Sequence, residues 1–183
     1  MESSSHPTFE TGATVIYALH GKCKVVGIEE RTVAGQTIPF YKLEIQKSAL
    51  SRSARQEPAI WLPVKTAPSR GLRAPMDAAV AEAALEVLSS REFYFPLNET
   101  WNKMLPQLEA CMNREGSIGI AKVASYLHVL KKKQVVFAPE VARFSEQVWK
   151  TISREVSDAL GISLKMVEER IEKGLRHKLL PHN

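Results

Sequence analysis

Side chains able to support catalysis are present in this sequence, but they are scattered rather than grouped. Glu29 and Glu30 are adjacent in a predicted strand, so they point to opposite faces and cannot work as an acid and base pair. The sequence has no glycine-rich phosphate loop, GxSxG elbow, HExxH motif or paired-cysteine motif. We therefore predict no catalytic residues, no metal site and no cofactor, which argues against an enzyme.

The five histidines do not suggest a metal site either. His20 lies in the predicted turn "ALHGK", and His128 lies on the polar side of a predicted helix. The remaining three are His6, His177 and His182.

Trp101 is the most unusual of the remaining side chains. It stands in the polar stretch "NETWNK", just before a predicted apolar helix. With Asn102 as N-cap, Trp101 would occupy the preceding position and pack on Pro106 as a hydrophobic staple. Alternatively, the ring is simply buried, or it is presented to a partner outside the protein.

Lysines 131–133 form a second conspicuous group. They close a predicted helix, where cations complement the helix dipole, and they are equally suited to phosphate contacts. The sequence leaves both roles open.

The composition of the 183 residues predicts a folded, soluble, cytosolic protein. It is 44% hydrophobic with a net charge of +5, and both cysteines are expected to pack as small apolar residues. The polar start does not resemble a signal peptide, and no apolar run is long enough to span a membrane. Residues 1–75 carry 10 basic and 6 acidic side chains, whereas residues 76–183 carry 15 and 14. The positive charge suits an acidic partner or nucleic acid.

Residues 9–67 show the pattern of short strands. β-Branched and aromatic residues alternate with glycine-containing or polar breaks, which predicts a small twisted sheet or barrel. A predicted loop at residues 48–58 separates the last two of four strands: "ATVIYAL", "KCKVVGIEE", "PFYKLEI" and "AIWLPV".

Helix formers dominate from Met76 onward. Apolar stripes at helical spacing predict about five helices, the second from about Lys103 to Asn113. Pro139 should begin the fourth helix, Gly161 should end it, and Ser163 should cap the fifth. We predict an α+β protein with a β-module at residues 9–75 and an all-α bundle at residues 76–183.

Four motifs in fixed order resemble the CarD/CdnL family of bacterial RNA-polymerase-binding transcription regulators. They are a long N-terminal β segment, a strand leading into "GLR", an isolated tryptophan opening a helix, and a helix with a basic end. In this sequence they read "FETGATVIYALHGKCKVVGIEERTVAGQTIPFYKLEI", "IWLPVKTAPSRGLR", Trp101 and "IAKVASYLHVLKK".

The resemblance implies a Tudor-like β-module that binds the RNA polymerase β subunit, and a helical domain that contacts promoter DNA at the upstream edge of the melted bubble. It further implies that Trp101 wedges into the minor groove and stabilises the open complex, without reading the sequence. Such a regulator is expected to work as a monomer in the bacterial cytoplasm, associated with the nucleoid rather than with a membrane.

The same resemblance assigns individual residues. Arg31 matches one polymerase-binding arginine of the family, and Trp61 stands where some relatives have another. Relatives with a wedge carry two arginines after the tryptophan, whereas this chain has Asn102 and Lys103. Lys103 is therefore the phosphate contact left beside Trp101, with Lys131, Lys132 and Lys133 as further DNA-binding candidates.

Two alternative functions remain open. Residues 155–176 resemble a helix-turn-helix with Gly161 in the turn, although Glu168, Glu169 and Glu172 would meet phosphates unfavourably. The near-neutral helical half also suits a protein adaptor that binds polymerase or another regulator with little DNA contact.

Overall fold

The computed structural model describes residues 9–46, 58–133, 136–176 and 178. The chain divides into two compact units between Pro75 and Met76, where strand-forming composition gives way to helix formers. Most of the predicted loop at residues 48–58 lies outside the described residues.

The N-terminal unit contains one antiparallel sheet in the order β4-β3-β2-β1-β5. Two short 3-10 turns, Val64–Thr66 and Pro68–Arg70, connect β4 to β5. The fifth strand was not expected from the sequence, because two residues carry no periodicity. The strands are β1 Thr14–Tyr17, β2 Gly21–Val33, β3 Gln36–Ile45, β4 Ile60–Pro63 and β5 Leu72–Arg73.

One face of this sheet covers the core of the N-terminal unit. The buried cluster takes alternate residues from the strands, as a pleated sheet requires, and Ala67 from the connecting turns. Its members are Val15, Cys23, Val25, Tyr41, Leu43, Leu62, Ala67 and Leu72.

The β2–β3 hairpin fixes which side chains share the other face. Its two-residue turn has positive φ at Ala34 (50°) and Gly35 (79°), the combination that a type I′ turn needs. A register shift between Val25 and Gly27 resets the pairing before the distal part of the hairpin. As a result, Arg31 lies directly opposite Ile38.

The C-terminal unit has four helices in its described residues, one fewer than the approximately five predicted. The expected second and third helices form the two arms of one element, joined across a residue with a non-helical backbone, Gly116. The helices are α1 Ala78–Ser89, α2 Trp101–Lys133, α3 Pro139–Leu160 and α4 Leu164–Leu175.

The ends of α3 and α4 follow the sequence prediction. Pro139 occupies the first turn of α3, where its missing N–H has no partner to lose. Gly161 ends α3 with φ 65°, and its N–H donates to the carbonyl of Ser157. The Ser163 hydroxyl accepts the N–H of Met166 at 3.3 Å and so caps α4.

The turn at Gly116 folds α2 back on itself as a helical hairpin. Its φ of 59° and ψ of −131° lie in a region that residues with a Cβ avoid. A Cβ on Gly119 would overlap the Cys111 carbonyl oxygen and lie 3.0 Å from the Met112 Cα. The two arms therefore pack backbone against backbone at this position.

Apolar side chains from all four helices close the core of the helical unit. Leu88, Leu108, Leu127, Ile152 and Ile171 are each at most 5% exposed. In the parts of the chain that the structure describes, no helix is both long and apolar enough to cross a membrane.

Candidate functional site

The outer face of the N-terminal sheet brings the two predicted polymerase-binding residues into contact. The guanidinium carbon of Arg31 lies 3.6 Å from the centre of the Trp61 ring. The Lys42 ammonium lies 5.3 Å from the same ring, and it pairs with Glu29 at 3.7 Å. Trp61 therefore has two cations from neighbouring strands near its ring, a favourable arrangement for a ring with a negative face.

The strand register identifies the other members of this outer face. Because directly paired residues share a face, Ile38 lies beside Arg31, and Phe40 lies beside Glu29. Val33 has the same orientation as Arg31 and is 52% exposed. We name Glu29, Arg31, Val33, Ile38, Phe40, Lys42 and Trp61 the outer patch. Sequence reasoning missed all but Arg31 and Trp61, because the shared face depends on the register.

Trp101 lies inside the first turn of α2, not before it. The Thr100 carbonyl accepts the N–H groups of Lys103 at 3.1 Å and of Met104 at 3.0 Å, so the helix starts two residues earlier than predicted. With Thr100 as N-cap, Pro106 is the sixth residue of the helix, whereas a hydrophobic staple uses the fourth. The staple interpretation, with Asn102 as N-cap, is wrong.

The Trp101 ring packs on a different helix. It meets the edge of Phe144 on α3, with ring centres 5.4 Å apart and planes at 72°. Trp101 remains partly exposed. The burial alternative is thus partly correct, although the partner is an α3 residue that the sequence did not single out.

The lysines proposed for phosphate contact differ in how far they are already engaged. Lys103 pairs with Glu99 at 3.3 Å, although its side chain is 71% exposed. Lys132 donates to the carbonyl of Lys178 at 2.8 Å. Lys133 donates to Asn98 Oδ1 at 2.6 Å and to the Leu97 carbonyl at 3.3 Å. Lys131 is exposed.

The bonds of Lys133 bring both ends of α2 together. Leu97 and Asn98 immediately precede the helix that Trp101 begins, whereas Lys133 ends it. The folded-back α2 therefore places three of the predicted DNA-binding residues, Trp101, Lys103 and Lys133, at one end of the hairpin.

A groove of about 860 Å³ lies between α3, α4 and the last turns of α2. Trp149 and Ile171 line it, with Lys150 and Arg154 on the α3 side and Glu168 and Glu172 on the α4 side. Glu168 and Glu172, on the helix that would have to enter the major groove of DNA, thus line a groove against α3. The helix-turn-helix alternative gains no support from this arrangement.

His128 also lines this groove, contrary to the expectation of a polar helix face. Its Nε2 atom is buried and has no hydrogen-bond partner among the described residues. Burial, the largest cause, and the nearby charges of Lys132, Lys178 and Lys131 together lower the pKa of His128 from 6.5 to about 4. The imidazole is consequently neutral at pH 7.

Lys178 is buried in the helical unit. Its ammonium donates to the Ser125 hydroxyl and lies 5.4 Å from the Tyr94 ring. Burial lowers the pKa of Lys178. Together with the Lys132 bond to its carbonyl, these contacts fasten the chain after α4 to the α2 hairpin.

Comparison with protein families finds a match for part of the N-terminal unit. Residues 9–52 match the model of the CarD-like/TRCF RID domain. The resemblance to the CarD-like family is thus confirmed for this segment, which includes Arg31 and all of β1, β2 and β3. No curated protein matches the chain.

Proposed function

We propose that this chain is a non-enzymatic transcription regulator. Its N-terminal unit binds the β subunit of RNA polymerase, and its helical unit contacts promoter DNA at the upstream edge of the bubble and stabilises the open complex. It acts as a bacterial cytoplasmic monomer. The observation that carries this proposal is the match of residues 9–52 to the RID domain model, because that domain family suggests a polymerase-interacting regulator.

The outer patch supports the polymerase-binding part of the proposal. Arg31 is exposed and lies within the matched segment. Among the described residues, its guanidinium has the Trp61 ring as a contact but no hydrogen-bond acceptor. An arginine held on an aromatic ring with its N–H donors still available is well suited to bind a carboxylate of a partner.

The end of the α2 hairpin supports the DNA-contacting part. A partly exposed aromatic ring stands beside cations there, which combines an apolar wedge with sequence-independent phosphate contacts. To enter a minor groove, however, the Trp101 ring must give up or adjust its contact with Phe144. The weak basic character of this end suits a site that needs polymerase to bring DNA to it.

A second candidate function is a protein adaptor with little DNA contact. The observation that favours it is the engagement of Lys132 and Lys133 with carbonyl and amide oxygens of the chain itself. The groove beside α4, which is lined by both basic and acidic residues, would then be available to a protein partner.

Arg31→Glu tests polymerase binding. Reversing the charge should weaken binding to purified core polymerase or to a β-lobe fragment by at least about tenfold, because an anion would face the partner's anion. Arg70→Glu is the matched control, since Arg70 is also exposed and lies in a turn outside the outer patch. Equal binding by both variants would exclude Arg31 from the interface.

A salt titration separates the candidate functions of the helical unit. Binding to duplex and forked DNA is measured with and without polymerase between about 50 and 200 mM salt. We expect salt-dependent binding to forked DNA only when polymerase is present. DNA-independent binding to polymerase would favour the adaptor, and tight binding to duplex alone would favour the helix-turn-helix.

A further inference from the structure

The contact between Arg31 and Trp61 spans three strands. Arg31 belongs to β2 and pairs with Ile38, whereas Trp61 belongs to β4 and pairs with Lys42. Strand β3 lies between them in the sheet. The Arg31 side chain must therefore extend across β3, on the face that carries Phe40, before its guanidinium reaches the ring.

The geometry of a guanidinium explains why this contact leaves the N–H donors of Arg31 available to a partner. The group stacks through its flat face, while its five N–H donors lie in the plane and point outward from its edge. The 3.6 Å separation from the ring centre occupies one face of the Arg31 guanidinium. Since no described residue accepts a hydrogen bond from it, the stack restrains the group without using its donors.

Apolar side chains flank Arg31 on this face of the sheet, whereas the Trp61 end of the contact also carries Lys42 and Glu29. Val33 and Ile38 share the face of Arg31, and Phe40 is only 9% exposed although it lies outside the buried cluster of the sheet. The other cation over the ring, Lys42, already has Glu29 as a counter-ion. Arg31 is thus the cation of the outer patch that lacks an anionic partner among the described residues.

We propose that Trp61 is a positioning residue, which holds the Arg31 guanidinium so that its in-plane N–H groups bind a carboxylate on the partner surface. The partner chemistry is therefore an Asp or Glu side chain set in an apolar surface that covers Val33 and Ile38. This inference rests on the proposed function, because the partner is taken to be the polymerase β subunit.

Five variants of the full chain test the proposal by titration against purified core polymerase. Trp61→Leu removes the aromatic face and should weaken binding about fivefold, whereas Trp61→Phe keeps the face and should stay within about twofold of the wild type. Arg31→Lys keeps the charge but not the planar donor edge, so it should weaken binding to a similar extent as Trp61→Leu. Arg31→Gln removes both, and the double variant Trp61→Leu/Arg31→Gln should bind no more weakly than Arg31→Gln.

The double variant distinguishes positioning from a structural role. If Trp61 merely supports the fold, its loss lowers the melting temperature and weakens binding equally in the wild-type and Arg31→Gln backgrounds. Additive losses, or wild-type affinity for Trp61→Leu, would overturn the positioning role while polymerase binding stands. Lys42→Met serves as a comparison, because a larger loss there than in Trp61→Leu would assign the contact to Lys42 and overturn the proposal.

The same titration reports separately on the proposed function. If the wild-type chain does not bind polymerase, both the function and the inference drawn from it are overturned. If the wild type binds and Arg31→Gln binds equally well, only the inference fails. Circular dichroism of each variant confirms that the sheet has formed.

Discussion

The outer patch of the sheet and the end of the α2 hairpin use similar side chains in opposite ways. Each pairs a tryptophan with cations. In the outer patch, Arg31 contacts Trp61 and has no hydrogen-bond acceptor among the described residues. At the end of the hairpin, Trp101 contacts Phe144, and Lys133 already donates to two oxygens of the chain.

This difference distinguishes Arg31, whose N–H donors are available to a partner, from Trp101 and Lys133, whose contacts also stabilise the fold. A partner carboxylate can bind Arg31 without breaking a contact between described residues. At Lys133, Asn98 and the Leu97 carbonyl already accept two of the three ammonium N–H groups, so a DNA phosphate shares this ammonium with contacts inside the chain. The outer patch is therefore preorganised for binding, whereas at the end of the hairpin the Trp101 ring must exchange its contact with Phe144 for an external one.

The largest expected effect comes from Gly119→Val, which would disrupt the α2 hairpin and leave the outer patch intact. The new side chain would collide with backbone atoms of Cys111 and Met112, so we expect a loss of about 3 kcal/mol in the free energy of unfolding. The contact between Lys133 and Asn98 should become labile, while polymerase binding through the outer patch should persist. Chemical unfolding and amide exchange would measure both effects.

Gly27→Ala provides the matched control for that experiment. A Cβ on Gly27 would meet nothing within 4 Å, so this substitution should change stability little. Equal stability of the two variants would show that the arms of α2 are not packed as closely as described.

Trp101→Ala should cost about 2 kcal/mol of stability, because the partly exposed ring loses its contact with Phe144. Phe144→Leu removes the same ring contact but leaves Trp101 in place. If Trp101 is a wedge, Trp101→Ala should shorten the open-complex lifetime more than Phe144→Leu does at comparable stability. Equal lifetimes would leave Trp101 with a purely structural role. In that case only the outer patch, and not the end of the α2 hairpin, would present a tryptophan site to a partner.

His128 gives the helical unit a predictable pH dependence of about 1 to 2 kcal/mol. Its folded pKa of about 4 lies below the ordinary value of 6.5, so the unfolded chain binds the proton first as the pH falls. Stability from this group is complete above about pH 6.5 and is lost as the pH falls towards 4. Urea unfolding at pH 7 and 5 should show a smaller loss for His128→Gln than for the wild type.

Replacing Lys132 would show how much of the lowered pKa of His128 is due to the neighbouring lysines. Burial contributes most to the lowered pKa of His128, and Lys132 contributes the next largest part. Lys132→Met should therefore raise the pKa of His128 towards its ordinary value, which NMR titration of the imidazole would detect. An unchanged pKa would assign the whole effect to burial.

The smallest expected effects distinguish two neighbouring lysines. Lys133→Met should cost about 1 kcal/mol, because it leaves the Leu97 carbonyl and the Asn98 side chain without this donor. Lys131→Met should cost almost nothing, because Lys131 is exposed. If Lys131 contacts phosphate in the promoter complex, its loss should lower the salt slope of binding by about 1. An unchanged slope would remove Lys131 from the DNA-binding candidates.

Most of the elements could be predicted from local sequence features. Pro139, Gly161 and Ser163 marked helix ends because each has a backbone or side-chain property that only a terminus uses. The start of α2 was misplaced because Thr100 and Asn102 are both suitable N-caps, and sequence alone does not choose between them.

The contacts of the candidate site were much harder to predict. Arg31 and Trp61 are 30 residues apart, and their meeting depends on the register shift beyond Val25 and on the position of β3 between them. Trp101 and Phe144 meet because α2 folds back and α3 packs beside it. The sequence pattern could mark these residues as unusual, but only tertiary packing determines their partners.

The folded-back α2 also has a consequence for the order of folding. The bond between Lys133 and Asn98 joins residues only 35 positions apart, and the chain between them is almost entirely helical. Such a closure is local and loses little chain entropy, so it should form fast. We therefore expect the α2 hairpin to be the folding nucleus of the helical unit, onto which α3 and α4 assemble later.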